Sequence, residues 1–498
     1  MMNVVVTPKR SAHGRPECVF PEGGLLARQG GSSMNVLFDP IRLSTMSLDV
    51  VEAGRDTPQG IAQRQKTRLA ALLESTLRGS RLYRALWPRD TTSHTPLQQL
   101  PVVTRGQLMA DFGGWVTDPQ LELDALRAFT ADPTRIAEPW LDRYMVWESS
   151  GTSGQPGIFV QDVQAMAVYD ALEALRRSPP PKPVWSSWWD PLGLGERSAF
   201  IGAIDGHFAS TVSVRRLCAL NPFLAQNTRS FSLLEPLSAL VQALNAFNPT
   251  AIATYPTAAA LLADEAARGA LHIRPREIWT GGEYLAPSVR AHITRHLGGA
   301  VRNSYGASEF LAMGWECAHG QLHLNADWAI LEPVDEHLRS VPAGQPSNSV
   351  LLTNLANHVQ PLVRYELGDQ ITLHPERCSC GSPLPVLEVR GRHDDPLIMA
   401  GQSGQSITLL PLALSTVLED NAGVFDFYLR QMDARTLELR LPLEGEAGHQ
   451  ALARCRTELK TFADAMGLAP ITVHGKLGYT APRGRSGKAC RIVACAKT

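Results

Sequence analysis

Between Pro236 and Tyr305 the chain alternates between two patterns, and this alternation constrains its fold more than any other stretch. PLSALVQALNAF (236–247) has helical spacing and AIATY (251–255) is a short apolar strand. TAAALLADEAARG (257–269) is a helix stopped by Gly269, and EIWT (277–280) is again strand-like. PSVRAHITRHLG (287–298) is a helix stopped by Gly298, and AVRNSY (300–305) is the next strand. Strands separated by helices build parallel βαβ units with right-handed crossovers, so the expected fold class is α/β. Each strand runs straight into a small or polar turn: YPT, TGGE and YGASE. Ligands of open α/β sheets bind beyond the carboxyl ends of the strands. The three turns are therefore expected to face one cleft.

The rest of the chain sets bounds. Its 498 residues leave room for roughly three domains. A formal net charge of −1 gives no global field toward nucleic acid or an anionic membrane. No run approaches the roughly 18 apolar residues of a membrane span, and the first residues lack the apolar segment of a signal peptide. Residues 1–50 read as a poorly ordered leader, with Met34 or Met46 as alternative starts. Eight cysteines are too sparse for a disulfide scaffold in a chain this long. They suit a reducing cytoplasm, and clustered ones point to metal. The composition changes at GRHDD (391–395). Beyond it lie LALSTVLEDN, FDFYLRQ, TLELRLPL, ALARCRTELKTFADAM and ITVHG, an α+β pattern of its own. The expected division is a large domain over 51–393 and a small C-terminal domain over 394–498.

ESSGTSGQPG (148–157) sits between the apolar stretches MVW and IFV. Glycines allow a tight turn that exposes backbone N–H groups as a nest for anions. Ser149, Ser150, Thr152 and Ser153 add hydroxyl donors. No Gly-Lys-Ser/Thr closes the loop, so it is not a Walker A sequence. From the residues alone, a polyphosphate loop and an ordinary hairpin remain open.

Further motifs follow in order: YGASE (305–309), RYELGD (364–369), RGRHDD (390–395) and GRSGKACRIV (484–493). Together with the serine-rich loop they resemble the adenylate-forming superfamily of acyl-CoA synthetases, luciferases and peptide-synthetase adenylation domains. RLYRALW, LPVVTRGQLMADF, TYPTAAALLADEA and TGGEYL resemble its phenylacetate–CoA ligase branch. The resemblance covers about residues 60–498. It implies a large domain bearing ATP and acyl sites and a small mobile domain bearing a catalytic lysine. Ser149, Ser150, Gly151, Thr152, Ser153 and Gly154 match the loop that holds the ATP β- and γ-phosphates. Gly157 and Ile158 stand where many relatives carry lysine. Gly281, Gly282 and Glu283 match the turn beside adenine and the acyl pocket, and Tyr305 the residue that stacks on adenine. Gly306 follows it. Ser308 replaces the more usual threonine, Glu309 matches a Mg²⁺ ligand, and Asp369 the acceptor of both ribose hydroxyls. Arg392 is expected near ribose and phosphate, Asp394 at the hinge, and Lys488 on the carboxylate and α-phosphate during adenylation. Tyr255, Gly281, Gly282, Gly306 and Ala307 are expected to line the acyl pocket. Trp147 either narrows a channel or belongs to the core.

The activity implied is ATP-dependent activation of a carboxylic acid, aromatic by the branch, with transfer to the thiol of coenzyme A. One alternative is delivery to the pantetheine of an acyl or aryl carrier protein, or to an amine. Another is a non-catalytic, zinc-stabilised binding protein. CAHGQLH (317–323) and CSCG (378–381) supply three cysteines and a choice of histidine, a set suited to tetrahedral zinc. His319 and His374 compete for the fourth position. The resemblance favours His323, giving a structural site of Cys317, His323, Cys378 and Cys380.

Overall fold

A computed structural model describes residues 38–149, 157–177, 196–390, 396–424, 427–479 and 491–495. The expected phosphate-loop residues Ser150, Gly151, Thr152, Ser153 and Gly154 lie outside them, as do Arg392, Asp394 and Lys488. No helix among the described residues is long and apolar enough to cross a membrane.

The architecture is α/β. Strands β3 (Ser198–Gly202), β4 (Thr228–Ser232), β5 (Ala251–Thr254), β6 (Glu277–Thr280) and β7 (Ala300–Ala307) pair in the order β4-β3-β5-β6-β7, all parallel. The helices Leu237–Phe247, Pro256–Ala267 and Pro287–Leu297 fall where the spacing predicts them. Pro256 and Pro287 each occupy a first-turn position, where the missing N–H would have no partner anyway. The sheet then continues through β8 (Phe310–Glu316), β9 (Leu322–Leu324), β14 (Val386–Arg390) and β13 (Gln370–His374), all antiparallel. This antiparallel half adds to the βαβ reading.

Met145–Glu148 (β1) and Ile158–Gln161 (β2) form an antiparallel hairpin in register Glu148 with Ile158. The serine-rich loop joins them. Its base is pinned twice: Ser149 N donates to Gly157 O at 2.9 Å, and Gly157 N to Ser149 Oγ at 3.0 Å.

The expected leader is corrected at its C-terminal end, because Pro40–Gly54 is a helix. Asp39 caps it, Pro40 opens it, and Val50 and Ala53 are buried. It lies against the helix Val163–Arg176, where Arg42 Nη1 donates to Gln164 Oε1 at 2.6 Å.

The C-terminal region has its own four-stranded sheet, β19-β18-β17-β20, with the helix Gly445–Ala465. These strands are Tyr428–Gln431 (β17), Thr436–Arg440 (β18), Thr472–Lys476 (β19) and Ile492–Val493 (β20). Leu452, Cys455, Leu459 and Phe462, spaced three or four apart, turn one helix face into the core.

Candidate active site

The three turns converge as their positions at strand ends require. They open onto one cavity of about 1870 Å³. Every expected ATP, acyl or magnesium residue within the described stretches lines it: Ser149, Tyr255, Gly281, Gly282, Glu283, Tyr305, Gly306, Ala307, Ser308, Glu309 and Asp369. Two glycines are required by shape. Gly282 has φ +77°, and a Cβ there would come within 2.9 Å of the Tyr255 ring; at Gly306 it would come within 2.1 Å of Leu311 O. The Glu283 carboxylate accepts from Thr257 N and Thr257 Oγ1, both at 3.0 Å, and so ties the second turn to the start of the helix Pro256–Ala267.

Tyr305 donates its hydroxyl to Asp369 Oδ2 at 2.9 Å. Burial, with Asp369 beside it, holds the Tyr305 phenol well above its ordinary value, so it stays a donor. Glu309 is buried and accepts from the Tyr365 hydroxyl at 2.7 Å. Burial raises its pKa, while the Tyr365 hydrogen bond and the charge of Arg105 oppose that rise. Trp147 takes the core role: it is fully buried, and its Nε1 donates to Ser308 O at 2.8 Å, fixing the YGASE turn from behind.

Sequence reasoning passed over several residues here. Arg105 lines the cavity and donates to Ser149 Oγ at 3.1 Å. It stands in the first turn of the helix Arg105–Ala110, opened by a Thr104–Gln107 capping box. That T-x-x-Q pattern was the available signal. Tyr365 stands in the quoted RYELGD motif, and its partner Glu309 lies 56 residues away. Glu419 and Arg491 of the C-terminal region, joined by an ion pair, also line the cavity.

A second constellation lies apart from the turns. The ligand atoms of Cys317, His323, Cys378 and Cys380 all lie within 4.8 Å of one another. Cys317 Sγ to Cys378 Sγ is 3.8 Å, and Cys380 Sγ to His323 Nε2 is 3.4 Å. The His323 Nδ1 faces Leu384 O at 3.0 Å, and burial lowers the pKa of the ring, which favours the neutral form. The competing histidines are placed elsewhere: His319 Nδ1 contacts Ser379 Oγ at 2.8 Å, and His374 Nε2 is 4.0 Å from Glu388.

No family model matches the chain. A phenylacetate–coenzyme A ligase from Thermus thermophilus is 29% identical over 189 residues, a stretch covering 36% of this chain and 41% of that relative. A solved structure of 2-hydroxyisobutyryl-CoA ligase, with 2-HIB-AMP and CoA in the thioester-forming state, superposes with a TM-score of 0.54. The two share 18% identity, over 87% of this chain and 89% of the other.

Proposed function

We propose that the chain is a member of the adenylate-forming superfamily, and that it joins a carboxylic acid to AMP and passes the acyl group to the thiol of coenzyme A. One observation carries the reading: Ser149, the Gly281–Gly282 turn, Tyr305 with Glu309, and Asp369, from four separate segments, meet in a single cavity. The coenzyme A acceptor is supported by the name of the partly matched relative.

In the first step a carboxylate oxygen attacks the α-phosphorus and pyrophosphate leaves. In the second a thiolate attacks the acyl carbon and AMP leaves, so a poor electrophile is consumed in two easier steps. Tyr305 offers its ring to adenine, while Asp369, held by the Tyr305 hydroxyl, accepts from ribose. Ser149 with the loop Ser150–Gly154 cradles the outer phosphates, and Arg105, hydrogen-bonded to Ser149, adds a fixed cation beside them. Arg392 stands near ribose and phosphate, Asp394 serves as the hinge, and Lys488 meets the charge that develops at the α-phosphate. Fixed cations and N–H donors at such a centre act without reorganising during the reaction.

Glu309 fits a divalent cation. It is a buried carboxylate with a single hydroxyl donor on Oε1 and the charge of Arg105 nearby, and burial disfavours its anion. Mg²⁺ held there would neutralise phosphate charge. The Cys317, His323, Cys378 and Cys380 set fits zinc. For Zn–S of about 2.3 Å a tetrahedral S–S edge is about 3.8 Å, the spacing of Cys317 and Cys378. Four protein ligands leave no open position, so its role is structural.

The acid is aromatic in this reading, because Phe200, Phe208, Trp279 and Trp315 line the cavity beyond the turns. The test is ATP–pyrophosphate exchange with a panel of aryl and alkyl acids, repeated with Lys488→Ala. Acid-dependent exchange is expected, and the variant should lose about 10²–10³-fold, the cost of one positioned electrostatic contact. It should still form thioester from a supplied acyl-adenylate. Equal loss of both half-reactions refutes the lysine's assignment.

A further inference from the structure

Beyond the turns the cavity extends along the sheet. Register pairs Phe200 with Ala253 and Ala253 with Trp279, so the three stand in one row on one sheet face. All three line the cavity. Their neighbours Ile201, Ile252 and Ile278 point the other way, into the second core. The small Ala253 leaves a hollow between two aromatic side chains. Tyr255 and Gly281 lie two residues further along these strands, roughly 7 Å at about 3.3 Å per residue. That offset suits a ring whose carboxylate sits at the turns.

Two helices add to the cavity wall. Ser213 and Leu217, one turn apart on the helix Ala209–Leu220, line it. So do Glu173, on the helix Val163–Arg176, and Arg177 just past that helix. Arg216 clamps the two helices together through both oxygens of Asp170, each at 2.9 Å. The Arg177 guanidinium lies 4.3 Å over the Trp279 ring and 3.3 Å from Glu173 Oε1.

The wall of this cavity contains polar groups that the protein leaves unanswered. Ser213 is 8% exposed, and its Oγ has no hydrogen-bond partner among the described residues. The buried Trp315 Nε1 also has none. A buried polar group without a partner costs about 1–3 kcal/mol, and both residues line the substrate cavity, where a bound group can complete them.

We propose that the acid carries a hydrogen-bonding substituent on its ring, a hydroxyl or an amino group. The ring lies between Phe200 and Trp279, and the substituent meets Ser213 Oγ. This inference rests on the ligase reading and deepens it.

The experiment compares kcat/KM for pyrophosphate release with benzoate and its hydroxy- and amino-substituted forms, all positions included. Measurements use the full chain, Ser213→Ala and, as a second variant that keeps ring volume, Trp315→Phe. At least one substituted acid should exceed benzoate by about tenfold or more, as expected where a buried donor–acceptor pair is completed. Ser213→Ala should remove most of that preference, lowering kcat/KM for the favoured substituted acid by about tenfold more than for benzoate. Equal rates for benzoate and every substituted acid, or an undiminished preference in both variants, overturn the inference and leave the ligase reading intact. Inertness of every acid, aryl and alkyl, removes both.

Discussion

Replacing Cys378 by serine should unfold the protein more readily without changing what it catalyses. Cys378 Sγ lies 3.8 Å from Cys317 Sγ, 61 residues earlier in the chain. A metal held by the four ligands therefore clips the turn between β8 and β9 to the loop before β14. A ligand that binds only the folded state at 100 to 1,000 times its dissociation constant contributes about 2.7–4.1 kcal/mol. Most of that should vanish with one thiolate, so the expected loss is about 3 kcal/mol. In a large domain this corresponds to a thermal midpoint lower by roughly 4 °C. Elemental analysis should find near one zinc per chain before the substitution and little after it. Scanning calorimetry reads the midpoint, and turnover per folded molecule should stay within about twofold. Native protein that is fully folded without zinc, or a zinc-free variant with an unchanged midpoint, refutes the reasoning.

Other consequences follow from the cavity. Asp369→Asn removes the charge facing the Tyr305 hydroxyl and should raise KM for ATP by roughly 10–100-fold, the value of a hydrogen bond to a charged group, with KM for the acid nearly unchanged. Burial raises the Glu148 carboxyl to about 7, against a hydrogen bond from Thr130 that lowers it. Between about 4.5 and 7 the folded state keeps a proton on Glu148 that the unfolded chain has lost, so this group makes stability fall as pH rises through that window and adds a constant penalty above it. Glu148→Gln should flatten the slope there and raise stability at pH 8 by on the order of 1–3 kcal/mol; urea titrations at pH 5 and pH 8 measure both.

The strand–helix alternation of 236–305 was legible because period and punctuation agree: Gly269 and Gly298 stop helices, and Pro256 and Pro287 open them. The turns were legible because strand ends in a parallel sheet must share one side. The histidine choice at the Cys cluster needed the resemblance, since CAHGQLH offers two rings at similar spacing; β9 places His323 inward and leaves His319 on an exposed turn. What escaped reading depends on contacts across long sequence separations. Which strands follow β7, in which direction, is decided by tertiary pairing and not by any local pattern. Arg105 reads as a helix-start residue until the fold brings Ser149 to it. Ser213 is an ordinary helical serine until burial leaves its hydroxyl unanswered. The helix Pro40–Gly54 was absorbed into the leader, although Asp39-Pro40 is a start signal of cap followed by proline.

In the proposed reaction the acid's own oxygen bonds to the α-phosphorus of ATP. A carboxylic acid labelled with ¹⁸O in both carboxyl positions, turned over with ATP and coenzyme A, tests it directly by mass spectrometry of the nucleotide product. The expected products are AMP carrying one ¹⁸O for each acyl thioester formed and unlabelled pyrophosphate. Label in inorganic phosphate with release of ADP, or unlabelled AMP beside labelled water, contradicts that reaction.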